Sequence, residues 1–125
     1  MIMHAMSRKL PSPLEHLPAR PVSWRGRSGR TYAMVRETLD SFVMDDQELY
    51  VLTSGDKACW VGTAGDLIGD GRSRARFREA VRVANSVLRI ARPSDDVTTL
   101  TTMWDLEGGE PDALAAEPPV QALSA

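Results

Sequence analysis

The twenty residues 73–92 contain no glycine and no proline, and they constrain the fold more than any other stretch. At the ~100° per residue of an α-helix, Phe77, Ala80, Val81, Val83, Ala84, Val87, Leu88, Ile90 and Ala91 fall on one half of the cylinder. The other half carries Arg74, Arg78, Arg82, Asn85, Ser86, Arg89 and Arg92. The pattern predicts one long amphipathic helix, with Asp70 or Ser73 as its N-cap and Pro93 as its stop. Such a helix spans about 30 Å. It needs an apolar layer of similar reach to lie on.

Strands supply that layer. Residues 22–25 and 31–36 flank Gly26-Arg27-Ser28-Gly29-Arg30, a turn whose glycines are free to take positive φ. Residues 48–53 and 58–63 flank Ser54-Gly55-Asp56-Lys57, a second hairpin turn. In that hairpin Leu49, Val51 and Thr53 share one face, and Tyr50 and Leu52 the other. Residues 37–44 read as a short helix or an irregular crossing. Residues 64–71, with three glycines and two aspartates, allow at most one helical turn. After Pro93, Ser94-Asp95-Asp96 turns the chain, and the β-branched, alternating residues 97–106 predict a last strand. The expected fold is α+β. A small antiparallel or mixed sheet of four to five strands, two hairpins plus a C-terminal strand, carries one long amphipathic helix on one face.

Charge and composition mark the boundaries. Residues 1–36 hold seven Lys/Arg and one acid, Glu15, with prolines at 11, 13, 18 and 21. Residues 105–125 hold five acids and no base. The expected organisation is a disordered basic arm over 1–21, a single domain over 22–106, and a disordered acidic Ala/Pro/Gly-rich tail over 107–125. A net charge of -2 argues neither for a generic nucleic-acid binder nor for an acidic chaperone. The single cysteine excludes an intramolecular disulfide and a cysteine-based zinc cluster, and fits a reducing cytoplasm. No apolar run approaches the ~20 residues of a membrane span. The first ten residues lack the apolar core of a signal peptide.

Few residues suggest chemistry. The two histidines, His4 and His16, both fall in the arm, so the expected domain holds no Ser-His-Asp or Cys-His arrangement and no imidazole ligand set. Cys59 reads as a small buried hydrophobe in a strand, on the face opposite Trp60. The glycines at 62, 65, 69 and 71 make neither a G-x-G-x-x-G fingerprint nor a P-loop. Asp45-Asp46 and Asp95-Asp96 read as solvated turn formers. No cofactor and no metal site is expected.

One pattern has a family likeness. Tyr50 lies in Glu48-Leu49-Tyr50, and Trp60-Val61-Gly62 follows ten residues later, before Asp66-Leu67 and a helix. This order over residues 47–105 resembles the core of the GIY-YIG nucleases. The resemblance implies a hairpin, a helical segment and a further strand. In that family it also implies a metal-dependent nuclease with a second tyrosine near the nucleophilic water. Here Trp60 stands at that place, and an indole N–H is a donor that cannot act as a base. Gly69-Asp70 falls where the family has an arginine, with Arg72 shifted past it. Glu79, the only acid between residues 73 and 92, does not match the family's metal-binding glutamate.

The arginines then carry the functional expectation. Arg74, Arg78, Arg82 and Arg89 form a basic stripe along the predicted helix, without i,i+4 acids to neutralise it. The sequence therefore suggests a non-catalytic binding or accessory protein that presents this stripe to an acidic protein or a nucleic acid. The alternative is a divergent GIY-YIG-type metal-dependent nuclease using Tyr50 with Arg72 or Arg76.

Overall fold

The computed structural model describes residues 21–40 and 42–112. Apart from Pro21, the predicted arm lies outside the described residues, as does the predicted tail beyond Asp112. The chain runs β1 (Val22–Arg25), β2 (Thr31–Glu37), β3 (Glu48–Ser54), β4 (Lys57–Gly62), α1 (Ala64–Gly69), α2 (Gly71–Val83), β5 (Ser86–Ala91), α3 (Asp96–Glu107) and β6 (Glu110–Pro111). The strands form one antiparallel sheet in the order β4-β3-β5-β2-β1-β6.

Both hairpins form where the turn residues predict them. Gly29 (φ 95°) and Gly55 (φ 65°) take the positive φ that their turns need. Residues 38–40 and 42–47 hold no helix or strand and belong to the crossing between the hairpins. The α+β class holds, with six strands and three helices among the described residues rather than one long helix on a smaller sheet.

Two expected elements exchange identity. The predicted helix over 73–92 ends at Val83, and residues Ser86–Ala91 form the strand between the two hairpins. Ala84 is already extended (φ -72°, ψ 149°), and Asn85 N donates to Thr53 O. The reason lies in burial. Val87 and Leu88 are adjacent yet both buried, on opposite faces of the sheet. A central strand hides both, and pairs its backbone on both edges. The predicted strand over 97–106 is instead α3. The Asp95 side chain caps it, accepting from Thr98 N at 2.7 Å. Thr99 and Thr101 return their hydroxyls to Asp95 O and Val97 O, one turn back. Thr99, Thr102 and Leu106 are buried at a helical spacing that the alternating pattern conceals.

The sheet is covered on both faces. On one, α3 sets Met103 and Leu106 against Trp24, Met34, Leu49, Val51 and Leu88. On the other, α2 sets Phe77 and Ala80 against Tyr50, Leu52, Trp60 and Val87. Every residue from Leu49 to Thr53 is therefore buried, which the simple alternation of a one-sided sheet does not predict. A bulge at Leu52/Thr53 leaves Cys59 without a cross-strand partner. Cys59 consequently packs with Trp60's cluster, not on the face opposite it as expected.

One polar clamp ties α3 to the first hairpin. Asp105 is 4% exposed, and its carboxylate accepts from Ser28 N (2.6 Å), Ser28 Oγ (2.8 Å) and Tyr32 OH (2.7 Å). Arg27 N donates to Asp105 O, and Trp24 Nε1 to Leu106 O. Gly26 makes room, since a Cβ there would lie 2.5 Å from the carboxylate. Beyond Leu106 the chain continues into β6, which pairs with β1, and Arg25 bridges Glu110 and Asp112.

Burial pushes the Asp105 carboxyl up, but the hydrogen bonds from Tyr32 and Ser28 outweigh it and hold the group below the usual carboxylate range. A depressed folded value contributes stability that is complete above the unfolded value of ~3.9 and is lost as pH falls through the folded value. Asp105→Ala is expected to cost about 2–3 kcal/mol in urea unfolding, and Tyr32→Phe about 1 kcal/mol. Wild type should lose stability between pH 5 and pH 3 more steeply than Asp105→Asn, a window set by that ~3.9 reference. Parallel pH profiles for the two proteins would contradict the clamp.

Candidate interaction surface

A tryptophan decides how α2 meets the sheet. The Trp60 indole N–H donates to Ser73 Oγ at 3.2 Å, and the Phe77 ring meets it edge-on with centroids 4.9 Å apart. The approach to α2 is built from caps. Thr63 and Asp66 form a capping box at the start of α1. Asp70 ends α1 and caps α2, accepting from Arg72 N at 3.0 Å and Ser73 N at 3.3 Å. This seating uses a narrow strip of α2. Ala80 is its one buried residue, with Ser73 and Phe77 half-buried.

The rest of the helix is outside. Arg74, Arg78 and Arg82 repeat every four residues, so their Cα atoms are ~6 Å apart along one flank. Arg72 and Arg76, outside the predicted stripe, form a second row on the other flank. All five arginines are exposed. Arg74 Nη1 donates to Leu67 O and Ile68 O, closing the open end of α1. Arg82 meets Glu79 at 3.6 Å, an exposed pair of little weight. Arg72, Arg76 and Arg78 form no ion pair with any described residue. Val81, 41% exposed, lies beside the row of Arg74, Arg78 and Arg82, where a shallow groove of about 440 Å³ runs between Phe77, Arg78, Val81 and Arg82. Val83, 60% exposed, falls on the flank of Arg72 and Arg76.

Arg89 does not belong to this surface. The sequence places it on the basic stripe, but it lies in the middle of β5. Its Nε donates to Glu37 Oε2 and its Nη1 to Glu48 Oε1 at 3.4 Å. Glu37 pairs with Val87 and Glu48 with Ala91, so the two acids flank Arg89 diagonally from the neighbouring strands. The Glu37 hydrogen bond, together with both negative charges, outweighs burial and raises the guanidinium above its ordinary value. Arg92, also expected on the stripe, lies just past β5, where its N–H bonds Gln47 O.

Tyr50 and Trp60 are structural in their contacts. Tyr50 is 1% exposed, and its hydroxyl accepts from Asp45 N at 2.6 Å and reaches Val43 O at 3.5 Å. Burial raises the phenol above its ordinary value. Tyr50 is the register partner of Arg89, so Tyr50, Arg89, Glu37 and Glu48 share one face of the sheet. The hydroxyl is nevertheless bonded to the backbone of residues 43–45.

A cleft of about 390 Å³ follows the outer edge of β4, between α3 and the α1–α2 segment, lined by Cys59, Trp60, Asp66, Asp70 and Arg76 among others. Its two aspartates are the helix caps already described, and Ser73 holds Trp60. Asp66, Asp70 and Ser73 are thus committed to the fold, while Arg76 at the rim forms no ion pair with any described residue. Among the described residues no three His, Cys, Asp or Glu gather where a metal ion could be held. No described helix is long and apolar enough to cross a membrane. No family model, no curated protein and no solved structure matches this chain.

The arginines separate by their contacts. Arg89→Ala leaves Glu37 and Glu48 facing each other across β5 and should cost roughly 1–3 kcal/mol in urea unfolding. Arg78→Ala should stay within about 0.5 kcal/mol of wild type. Equal effects at the two positions would contradict this division.

Proposed function

We propose that the protein is a non-catalytic binding or accessory module that presents α2 to an acidic protein partner. The observation that carries this reading is the composition of the exposed flank. Arg74, Arg78 and Arg82 stand in a row with Val81 beside them, and Val83 is exposed on the flank of Arg72 and Arg76. Arginine mixed with apolar side chains is the make-up of a protein interface, where guanidinium groups pair with carboxylates and the valines lose water. A nucleic acid would use the charge and leave the valines wet. The single cysteine suits a reducing compartment, and the cytoplasm is the proposed location.

The test is a titration with two labelled probes, an acidic amphipathic peptide built of Glu and Leu, and a DNA duplex, each across a salt series. The peptide should bind more tightly than the duplex. Arg74→Glu/Arg78→Glu/Arg82→Glu should weaken peptide binding at least about tenfold, with a smaller salt slope. Tighter binding of the duplex, lost in the same variant, would move the reading to nucleic acid. If the variant binds both probes as wild type does, α2 is not the interface.

A second reading, a divergent nuclease of the GIY-YIG kind, draws on Tyr50, Arg89, Glu37 and Glu48 sharing a face of the sheet. Incubation with plasmid DNA and Mg²⁺ or Mn²⁺ tests it. Cleavage that disappears in Tyr50→Phe would replace the binding reading. The binding reading expects intact plasmid.

A further inference from the structure

Helix α3 is turned the wrong way for its composition. It buries Thr99, Thr102, Asp105 and Leu106, and exposes Val97 (74%), Leu100 (65%) and Trp104 (52%). An amphipathic helix on a sheet ordinarily does the reverse. We propose that this outer face of α3 is a homodimer interface, in which α3 packs antiparallel on α3 of a second copy across a two-fold axis at Leu100. The inference is independent of α2, which covers the opposite face of the sheet.

Charge identifies the occupant. Asp96, Leu100 and Trp104 form one i,i+4 ridge, with Asp96 and Trp104 each ~6 Å along the axis from Leu100. A two-fold rotation about Leu100 therefore sets Asp96 of one copy beside Trp104 of the other. Trp104 carries a cation. The Arg27 guanidinium lies 4.3 Å from the ring centroid, with its Nε donating to Trp104 O. Gly108 keeps that position open, since a Cβ there would come within 2.6 Å of the guanidinium. Neither Arg27 nor Asp96 forms an ion pair with any described residue, and both are exposed. Antiparallel docking pairs them twice, Arg27 with Asp96 of the other copy at each end of an apolar centre. Three apolar side chains per copy are few beside the roughly 800 Å² per partner of a standard interface, so the dimer dissociates on dilution.

Sedimentation velocity over a concentration series, on the full chain, reads the equilibrium. Wild type should move from monomer to dimer. Leu100→Glu should raise the dissociation constant at least about tenfold, since it sets two like charges at the axis. Arg27→Asp and Asp96→Arg should each raise it several-fold, because each opposes two like charges. The double variant Arg27→Asp/Asp96→Arg restores opposite charges and should return to near the wild-type value. Far-UV circular dichroism and thermal melts check that each variant is folded. In a Cys59→Ala background, Leu100→Cys should form an intermolecular disulfide on oxidation. A wild type that stays monomeric throughout overturns the proposal, whatever else covers α3. So does a dimer that Leu100→Glu leaves intact, or a double variant as weak as the single ones.

Discussion

The sheet exists because β5 enters between the two hairpins. β1–β2 and β3–β4 share no edge. One side of β5 pairs with β3 from Glu48 to Thr53, the other with β2 from Val35 to Glu37. A two-stranded hairpin alone is marginal in water, so both hairpins depend on this strand for a layer wide enough to cover. Arg89 sits at its centre and reaches a carboxylate on each neighbour, Glu37 and Glu48. The ion pairs are half-exposed, so their stabilisation is modest. They oppose any shift of β5 relative to β2 and β3, because a one-residue slip would turn Arg89 to the other face.

What the sequence concealed follows from that strand. Local turn chemistry is enough to locate both hairpins, since Ser54-Gly55-Asp56-Lys57 and the Gly26–Arg30 loop carry their signals within a few residues. The end of α2 carries no such signal. Ala84-Asn85 is neither glycine nor proline, and Val87, Leu88, Ile90 and Ala91 fit a helix stripe as readily as a buried strand. Only the vacancy between β2 and β3 selects the strand, and that vacancy is not a local property. Residues 97–106 err in the opposite direction. Their threonines favour strands by propensity, but Asp95 caps the segment and the threonine hydroxyls bond back along the helix. Tertiary demand decides β5, and in α3 one cap and the returning hydroxyls outweigh propensity.

The arginines were legible as a group and not as individuals. A helix drawn through residue 92 puts Arg89 in line with Arg78 and Arg82. The strand instead gives it two acids and a structural role. The remaining arginines divide according to what α2 buries. Trp60 takes Ser73 and Phe77, so the strip between them is spent on docking and both flanks stay outside. Trp60 thus has a stated purpose apart from any catalytic motif, since its N–H and its ring fix the orientation of α2 and with it the direction of Arg74, Arg78 and Arg82.

The two helices face a common problem differently. Most of the apolar side chains of the core come from the strands, and the sheet is covered on both sides. Each helix needs to bury little, which frees its outer face. On α2 that face carries mostly cations, which cost nothing in water, with Val81 and Val83 exposed among them. On α3 it is filled by valine, leucine and tryptophan, which expose apolar surface that folding does not require. The inner face of α3 does not explain the arrangement by crowding them out. Asp105 must point inward to hold Ser28 and Tyr32, and Thr99 and Thr102 fill the shallow space over the sheet, yet polar residues at 97, 100 and 104 would satisfy the same helix. An apolar ridge bounded by an aspartate and an arginine that form no ion pair with any described residue is therefore a feature that the fold tolerates and does not itself need. The requirement that accounts for it lies outside the single chain.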